Sequence, residues 1–254
     1  MKNAIRAVAS LTVSGLVELA RSRVYIAVLV AGVVLVLSAA IFEELAAGEG
    51  GRMIANIGGA FVSLLVSVLG IITSITRLSR EIETKRLYHV IFRPFPRGAV
   101  PIACFASSAI LVILSSLVLG GLLGFLGWFG SWPHPERAFV IACVGSLEGI
   151  VVCAVATLFA SVSSSAVASI NATLFFILGR LAGELQTVAE REHLGAGLSA
   201  ALRGVLTIVP RLDRFDASVW NDVGANLGPA VAYAGVYSVG ALLIAIGLFS
   251  RREL

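Results

Sequence analysis

Glu148 is the residue whose position most suggests chemistry. It lies near the middle of an apolar run, 138–160, that holds no other acid. A charge at the centre of a bilayer costs about 2.5–3.5 kcal/mol on insertion scales. The carboxyl must therefore face a cavity, a partner or the bundle interior, or be protonated. Asn56 and Asn171, in other apolar runs, are possible partners. One reading makes Glu148 part of a transport path. The other makes it a neutral glutamic acid hydrogen-bonded between helices. A proton relay normally uses more than one such group, and 138–160 offers one.

Other chemistries lack their residues. Nucleotide hydrolysis by a phosphate-cradling loop needs G-x-x-x-x-G-K-[ST]. The chain has only Lys2 and Lys85, and neither follows a glycine-rich loop, so this chain cannot itself be the ATPase of an ATP-driven transporter. His89, His134 and His193 are scattered without metal-ligand spacing. No G-x-S-x-G elbow is present. Cys104, Cys143 and Cys153 lie in apolar runs, without the even pairing of a disulfide framework, and read as small packing residues. The expectation is a protein that is not an enzyme and that carries no metal or cofactor of its own.

The elements that must position Glu148 follow from composition. Of 254 residues, 58% are hydrophobic and 13% charged, with a mean hydropathy of +0.96. Soluble domains hold about 25% charged residues. The apolar excess falls into blocks long enough to cross a hydrocarbon core of about 30 Å. The blocks are 24–42, 54–76, 102–129, 138–160, 166–183 and 228–249, six in all. The first follows a lead of 23 residues, too long for the n-region of a signal peptide, and reads as a retained span. Within 4–20, Ile5, Val8, Leu16 and Leu19 recur at helical spacing, which predicts an amphipathic helix lying along the interface. Gly120 and Gly124 in the third span have the spacing that lets helices approach closely.

Charge asymmetry orients the spans. The N-terminal arm, the 77–97 loop, the 161–165 turn and the C-terminal tail hold twelve of nineteen Lys and Arg but four of fifteen acids. The opposite side, with Arg180 at the tail of the fifth block counted, holds seven basic and ten acidic residues. The positive-inside rule places both termini and the 77–97 loop in the cytoplasm. The net charge of +4 thus sets topology and does not indicate nucleic acid.

Two connecting segments stand out. Residues 77–97 carry eight charges, six of them basic, and end in an Arg-Pro-Phe-Pro-Arg corner. Leu78, Ile82, Leu87, Val90 and Ile91 can give 77–92 a partial apolar face, with Arg80, Glu81, Glu83, Lys85 and Arg86 on the others. Pro94 must end that helix because it lacks an N–H and restricts Arg93. The simplest reading is a basic loop that fixes topology and touches anionic lipid. On the other side, 184–227 is long for a connection. Its stretch 193–210 is too short to span and reads as a re-entrant or interfacial helix. Turn-rich "PRLDRFDASVW" (210–220) follows, with Trp220 at its end.

Five stretches together resemble one family. "ELARSRVYIAVLV" (18–30) brings paired basic residues to the edge of the first span. "SREIETKRLYHVIFRPFPRG" (79–98) has an acidic patch, a short helix and a basic-Pro-x-x-Arg exit. "SLEGIVVCAVATLFASVSSSA" (146–166), "VPRLDRFD" (209–216) and the basic tail "LFSRREL" (248–254) follow in order. In this order the chain resembles the transmembrane subunit of ABC-2-type transporters, the six-span permeases of many bacterial exporters. It departs where Lys85 and Arg86 follow Thr84, a place where the family often carries Gly-Thr.

The resemblance implies an all-α, polytopic permease in one domain, 1–254. It would have six transmembrane helices, an N-terminal interfacial helix, a cytoplasmic coupling helix, and short extracytoplasmic re-entrant helices before the last span. Such a chain pairs with a second copy in the bacterial inner membrane and is driven by a separate ATPase. The resemblance assigns the coupling contact to Arg80, Glu81, Glu83, Lys85, Arg86, Arg93, Pro94 and Arg97. It assigns the outer gate to Arg203, Pro210, Asp213 and Phe215. Charge reversal at Glu81, Glu83 or Arg86 would then weaken ATPase binding. Two alternatives stay open. One is a secondary transporter or channel centred on Glu148. The other is a permease-like anchor that couples ATP hydrolysis to an extracytoplasmic accessory protein through 184–227. A mostly apolar bundle leans toward lipid-like, hydrophobic or flexible-chain cargo.

Overall fold

Ser22 sets the first corner of the chain. Its Oγ accepts a hydrogen bond from the Tyr25 N–H at 3.1 Å, capping the helix that starts at Arg23. The preceding helix α1, Lys2–Ala20, meets α2, Arg23–Leu45, at a bend of 62°. The computed structural model describes residues 2–45, 54–83, 98–129, 134–190, 204–216 and 227–251. Among these, every regular element is helical. After α2 comes a π-helical turn, Ile54–Gly58, leading into α3, Gly59–Glu83. Then follow α4 (Ala99–Phe129), α5 (Arg137–Val162), α6 (Ser165–Arg180) and α7 (Ala182–Glu190). A 3-10 turn, Leu212–Phe215, precedes α8, Gly228–Arg251.

Four helical stretches are long and apolar enough to cross a membrane: Ala55–Ile82, Ala99–Phe129, Arg137–Val162 and Gly228–Ser250. The bent α1–α2 pair makes a fifth if the two count as one span. Their apolar exteriors include Val34, Ile110, Phe139 and Leu243, all exposed. The chain is therefore an all-helical membrane protein. Pro101 stands in the first turn of α4, where a missing N–H costs no intrahelical bond.

Helix α5 is the centre of the bundle, packed against α3, α4, α6 and α8. Small residues make this possible. A Cβ added at Gly149 would collide with Val112 Cγ1 and come within 2.8 Å of Val66 Cγ1. One added at Gly120 would collide with the Ala142 Cβ, and one at Gly124 would lie 3.0 Å from the Ala138 Cβ. The Gly120–Gly124 pair thus seats α4 on α5. Gly121, one residue away, has nothing within 4 Å of an added Cβ. Gly120→Ala is expected to destabilise the bundle by about 1–3 kcal/mol through overpacking. Gly121→Ala should be neutral or stabilise by up to about 1 kcal/mol. Thermal unfolding in detergent distinguishes the two, and equal effects would contradict this packing.

Two expected elements differ in the structure. The fifth apolar block, 166–183, is broken. Helix α6 stops at Arg180, Leu181 turns, and α7 restarts at Ala182. Sixteen residues of α6 rise about 24 Å, short of a hydrocarbon core of about 30 Å. The break is where the 210–213 backbone comes in. A Cβ on Gly179 would lie 2.7 Å from the Pro210 carbonyl oxygen, and one on Gly183 2.8 Å from Asp213 Oδ2. Secondly, no new helix begins at 77. Helix α3 runs unbroken from Gly59 to Glu83, because Leu78 and Ile75 continue its buried face against the α5 and α8 core.

The apolar stripe of α1 also has a protein partner. Leu19 is 4% exposed and Val8 and Leu16 are half-buried, with α1 packed mainly on α4, while Val13 and Val17 are exposed.

Candidate functional site

One face of α3 carries Ser63, Ser67, Gly70, Ser74, Arg77 and Glu81, spaced 4, 3, 4, 3 and 4 residues apart. That spacing keeps all six on one side of a helix. All six are buried. A charged cluster stands at each end of this face, separated by about 27 Å of helix between Ser63 and Glu81.

The first cluster contains Glu148. Its side chain is fully buried, and the partner is Arg180 at the end of α6, with Nε 3.1 Å from Oε1 and Nη2 3.5 Å from Oε2. Ser63 Oγ donates to Glu148 Oε2 and accepts from Arg180 Nη2. Ser67 lies beside the same carboxylate. Glu148 thus meets a guanidinium and a hydroxyl where the sequence pointed to Asn56 and Asn171. Asn56 is exposed on the π-helical turn, and Asn171 is half-buried on α6. Arg180 has a second carboxylate within reach: Asp216 Oδ2 lies 3.8 Å from Nη1. Asp216 is 45% exposed at its side chain, Arg180 21% and Glu148 0%, so the three step from interior to surface.

The 208–216 segment is built onto this cluster. Leu212 and Phe215 are buried, and Pro210 lies at the α6 break. The Arg211 N–H donates to the Tyr233 hydroxyl at 2.7 Å, and the Tyr237 hydroxyl donates to the Ile208 carbonyl at 2.9 Å. Arg211 Nη2 pairs with Asp213 Oδ2 at 3.0 Å, and this hydrogen bond holds the guanidinium above its ordinary pKa. Arg214 stands 5.3 Å over the Tyr233 ring. Of the expected gate residues, Pro210, Asp213 and Phe215 come together here, and Arg203 lies outside the described residues.

The second cluster closes the other end of α3. Arg77, 5% exposed at its side chain, reaches Glu18 of α1 at 2.6 Å and Glu81 at 2.7 Å. Arg80 adds a longer contact to Glu18 at 3.3 Å. Gly15 of α1 makes room, since a Cβ there would lie 2.9 Å from Arg77 Nε. Glu81 is therefore an internal partner of Arg77, 9% exposed, and does not stand free for another chain. Glu83 ends α3, and Lys85, Arg86, Arg93, Pro94 and Arg97 lie outside the described residues.

Arg180, Asp216, Arg77, Glu18, Ser63 and Ser67 were not singled out from sequence. Two signals could have found them. Arg180 is the sole Lys or Arg within the six apolar blocks. The 4-3 spacing of small and charged residues through 63–81 marks a polar face in an apolar helix. Among the described residues, no three His, Cys, Asp or Glu side chains gather to hold a metal ion. The arrangement supplies fixed charges and hydroxyls, which can hold helices in register, orient a polar solute or exchange partners. No protein-family model and no curated protein matches the chain.

Proposed function

We propose that the chain is the transmembrane permease subunit of an ATP-binding cassette exporter, working as a homodimer on a separate ATPase. The observation that carries this reading is the continuity of α3. It runs through the membrane-length stretch without a break and carries its charges, Arg77, Arg80, Glu81 and Glu83, in its last two turns. That end leads in sequence to Lys85, Arg86, Arg93 and Arg97. A helix that is one rigid piece from the bundle centre to a charged end can carry a displacement from a partner into the bundle. The lack of a phosphate-cradling loop requires that partner, which would bind the ATP and Mg.

In this reading α6 and α7 together complete a broken fifth span, and the six spans so counted place both termini in the cytoplasm of a bacterium. Helix α1 lies along the inner face, and 184–227 forms the outer, partly re-entrant segment. The 84–97 loop is the docking element, while Glu81 serves the internal clamp. Charge reversal at Glu83 or Arg86 should abolish co-purification of the ATPase or uncouple its hydrolysis from transport. Normal assembly and normal substrate-stimulated hydrolysis in both variants would sink the assignment.

A further inference from the structure

Several buried hydroxyls in this bundle are satisfied within their own helix, and others, such as Ser116 to the Ala142 carbonyl, across to a neighbour. Those of Thr73, Ser107, Ser115 and Thr157 donate to carbonyls of their own helices at 2.7–2.9 Å. Serine and threonine in apolar helices commonly satisfy themselves this way. The hydroxyls of Ser67 and Ser74 do not. Each residue is 0% exposed, and among the described residues each hydroxyl lacks a hydrogen bond of ordinary geometry, meeting only the Glu148 carboxyl (Ser67) or the Cys153 thiol (Ser74) of α5. Both lie on the polar face of α3 and point toward α5: Ser67 is beside Glu148, and Ser74 is beside Cys153. Ser108 of α4 is likewise 0% exposed, with its hydroxyl unpartnered among the described residues.

Buried polar groups are almost always hydrogen-bonded, to protein or to water. This seam has little room for water as it stands. A Cβ at Gly70, midway along it, would lie 3.1 Å from Cys153 Sγ and 3.3 Å from the Gly149 carbonyl oxygen. A row of hydroxyls pressed dry against a neighbouring helix is what a polar seam looks like when shut.

We propose that the α3–α5 seam is a gated site for water and small hydrogen-bonding solutes, with Arg180 as its outer lock. In the shut state the guanidinium is drawn inward by Glu148 and Ser63, and holds the α6 end and 209–216 segment over the outer end of the seam. Asp216, exposed and 3.8 Å away, is the partner that receives it on opening. Ser63, Ser67 and Ser74 then meet water. The site stands on the membrane-spanning fold and not on the identity of the energy source. It is tested without nucleotide, so its failure and that of the permease reading are separable.

The test uses the full chain in sealed membrane vesicles, with Cys104 and Cys143 changed to alanine, Cys153 to serine so that the seam beside Gly70 stays filled, and Ser67→Cys as reporter. The probe is 2-(trimethylammonium)ethyl methanethiosulfonate, a small cation that does not cross lipid, applied to either face. With the lock intact, Cys labelling at 67 should be slow. Arg180→Gln should speed it by about tenfold or more, the shift expected when one favoured state loses its main contact. Glu148→Gln should act in the same direction. Asp216→Asn should slow labelling further by removing the outward partner. Fast labelling with the lock intact, or rates unchanged in both Arg180→Gln and Glu148→Gln, would overturn the proposal. Labelling accelerated by Asp216→Asn would overturn the role given to that carboxylate. Should Arg180→Gln not accumulate, Glu148→Gln and Asp216→Asn decide alone, since their predicted directions are opposite.

Discussion

Arg180→Leu is expected to cost the bundle about 3–5 kcal/mol, the range for removing one partner of a buried ion pair. The cost comes from what is left behind. Glu148 is 0% exposed at its side chain, and its remaining polar neighbours are serine hydroxyls. Without the guanidinium it must stay charged and uncompensated or take up a proton, and either is unfavourable. The reverse lesion should be milder. In Glu148→Leu the guanidinium, already 21% exposed, can turn to Asp216 at 3.8 Å and to water. The double variant Glu148→Leu with Arg180→Leu should recover most of the loss, because apolar replacement of a buried pair is often neutral or stabilising. The midpoint of thermal unfolding in detergent should rank Arg180→Leu lowest, Glu148→Leu next, and the double variant highest of the three. Additive losses would mean that the two residues do not form a unit. Equal losses would mean that Asp216 is not a usable second partner.

This asymmetry also explains how Glu148 was partly legible from sequence. An acid in an apolar run must find a partner or a cavity, and that much follows from one residue. The identity of the partner did not follow. Arg180 sits at the tail of the 166–183 block, where a basic residue reads as an interfacial anchor reaching for headgroups. Only the break at Leu181, set by the approach of Pro210 and Leu212 to Gly179, turns the α6 end inward. That approach spans about thirty residues of sequence and has no local signature. The helical blocks were legible for the opposite reason. Their signal is composition over a window, and 102–129, 138–160 and 228–249 lie within one to three residues of the bounds of α4, α5 and α8. The 77–83 turn misled because its charge density looks like solvent-facing loop. Two of its charges, Arg77 and Glu81, are spent on each other and on α1. Like Glu148, they lie where tertiary contacts outweigh the local pattern.

The clamp at that end gives the second large effect. Arg77→Leu should cost about 3 kcal/mol, near the low end for a broken buried pair, because Glu18 is 35% exposed and keeps some water. Two carboxylates, Glu18 and Glu81, would then face each other without the guanidinium between them. Their repulsion acts directly on the α1–α3 contact. Helix α1 has few other ties to α3, so its release should expose the joint at Arg21 and Arg23, both already at the surface. Trypsin is expected to cut there faster in Arg77→Leu than in the parent. Arg77→Lys should fall between them, since a single ammonium cannot fork to two carboxylates. Gly15→Val offers an independent route to the same lesion, because its side chain would occupy the space 2.9 Å from Arg77 Nε. If the clamp is one unit, combining Gly15→Val with Arg77→Leu should add little to either alone. Full additivity, or unchanged trypsin cleavage in Arg77→Leu, would mean that α1 is held by its apolar packing on α4. In that case a push on the Glu83 end of α3 would leave α1 in place. With the clamp intact, α1 and α3 must move together, and any force on the Glu83 end of α3 acts on both.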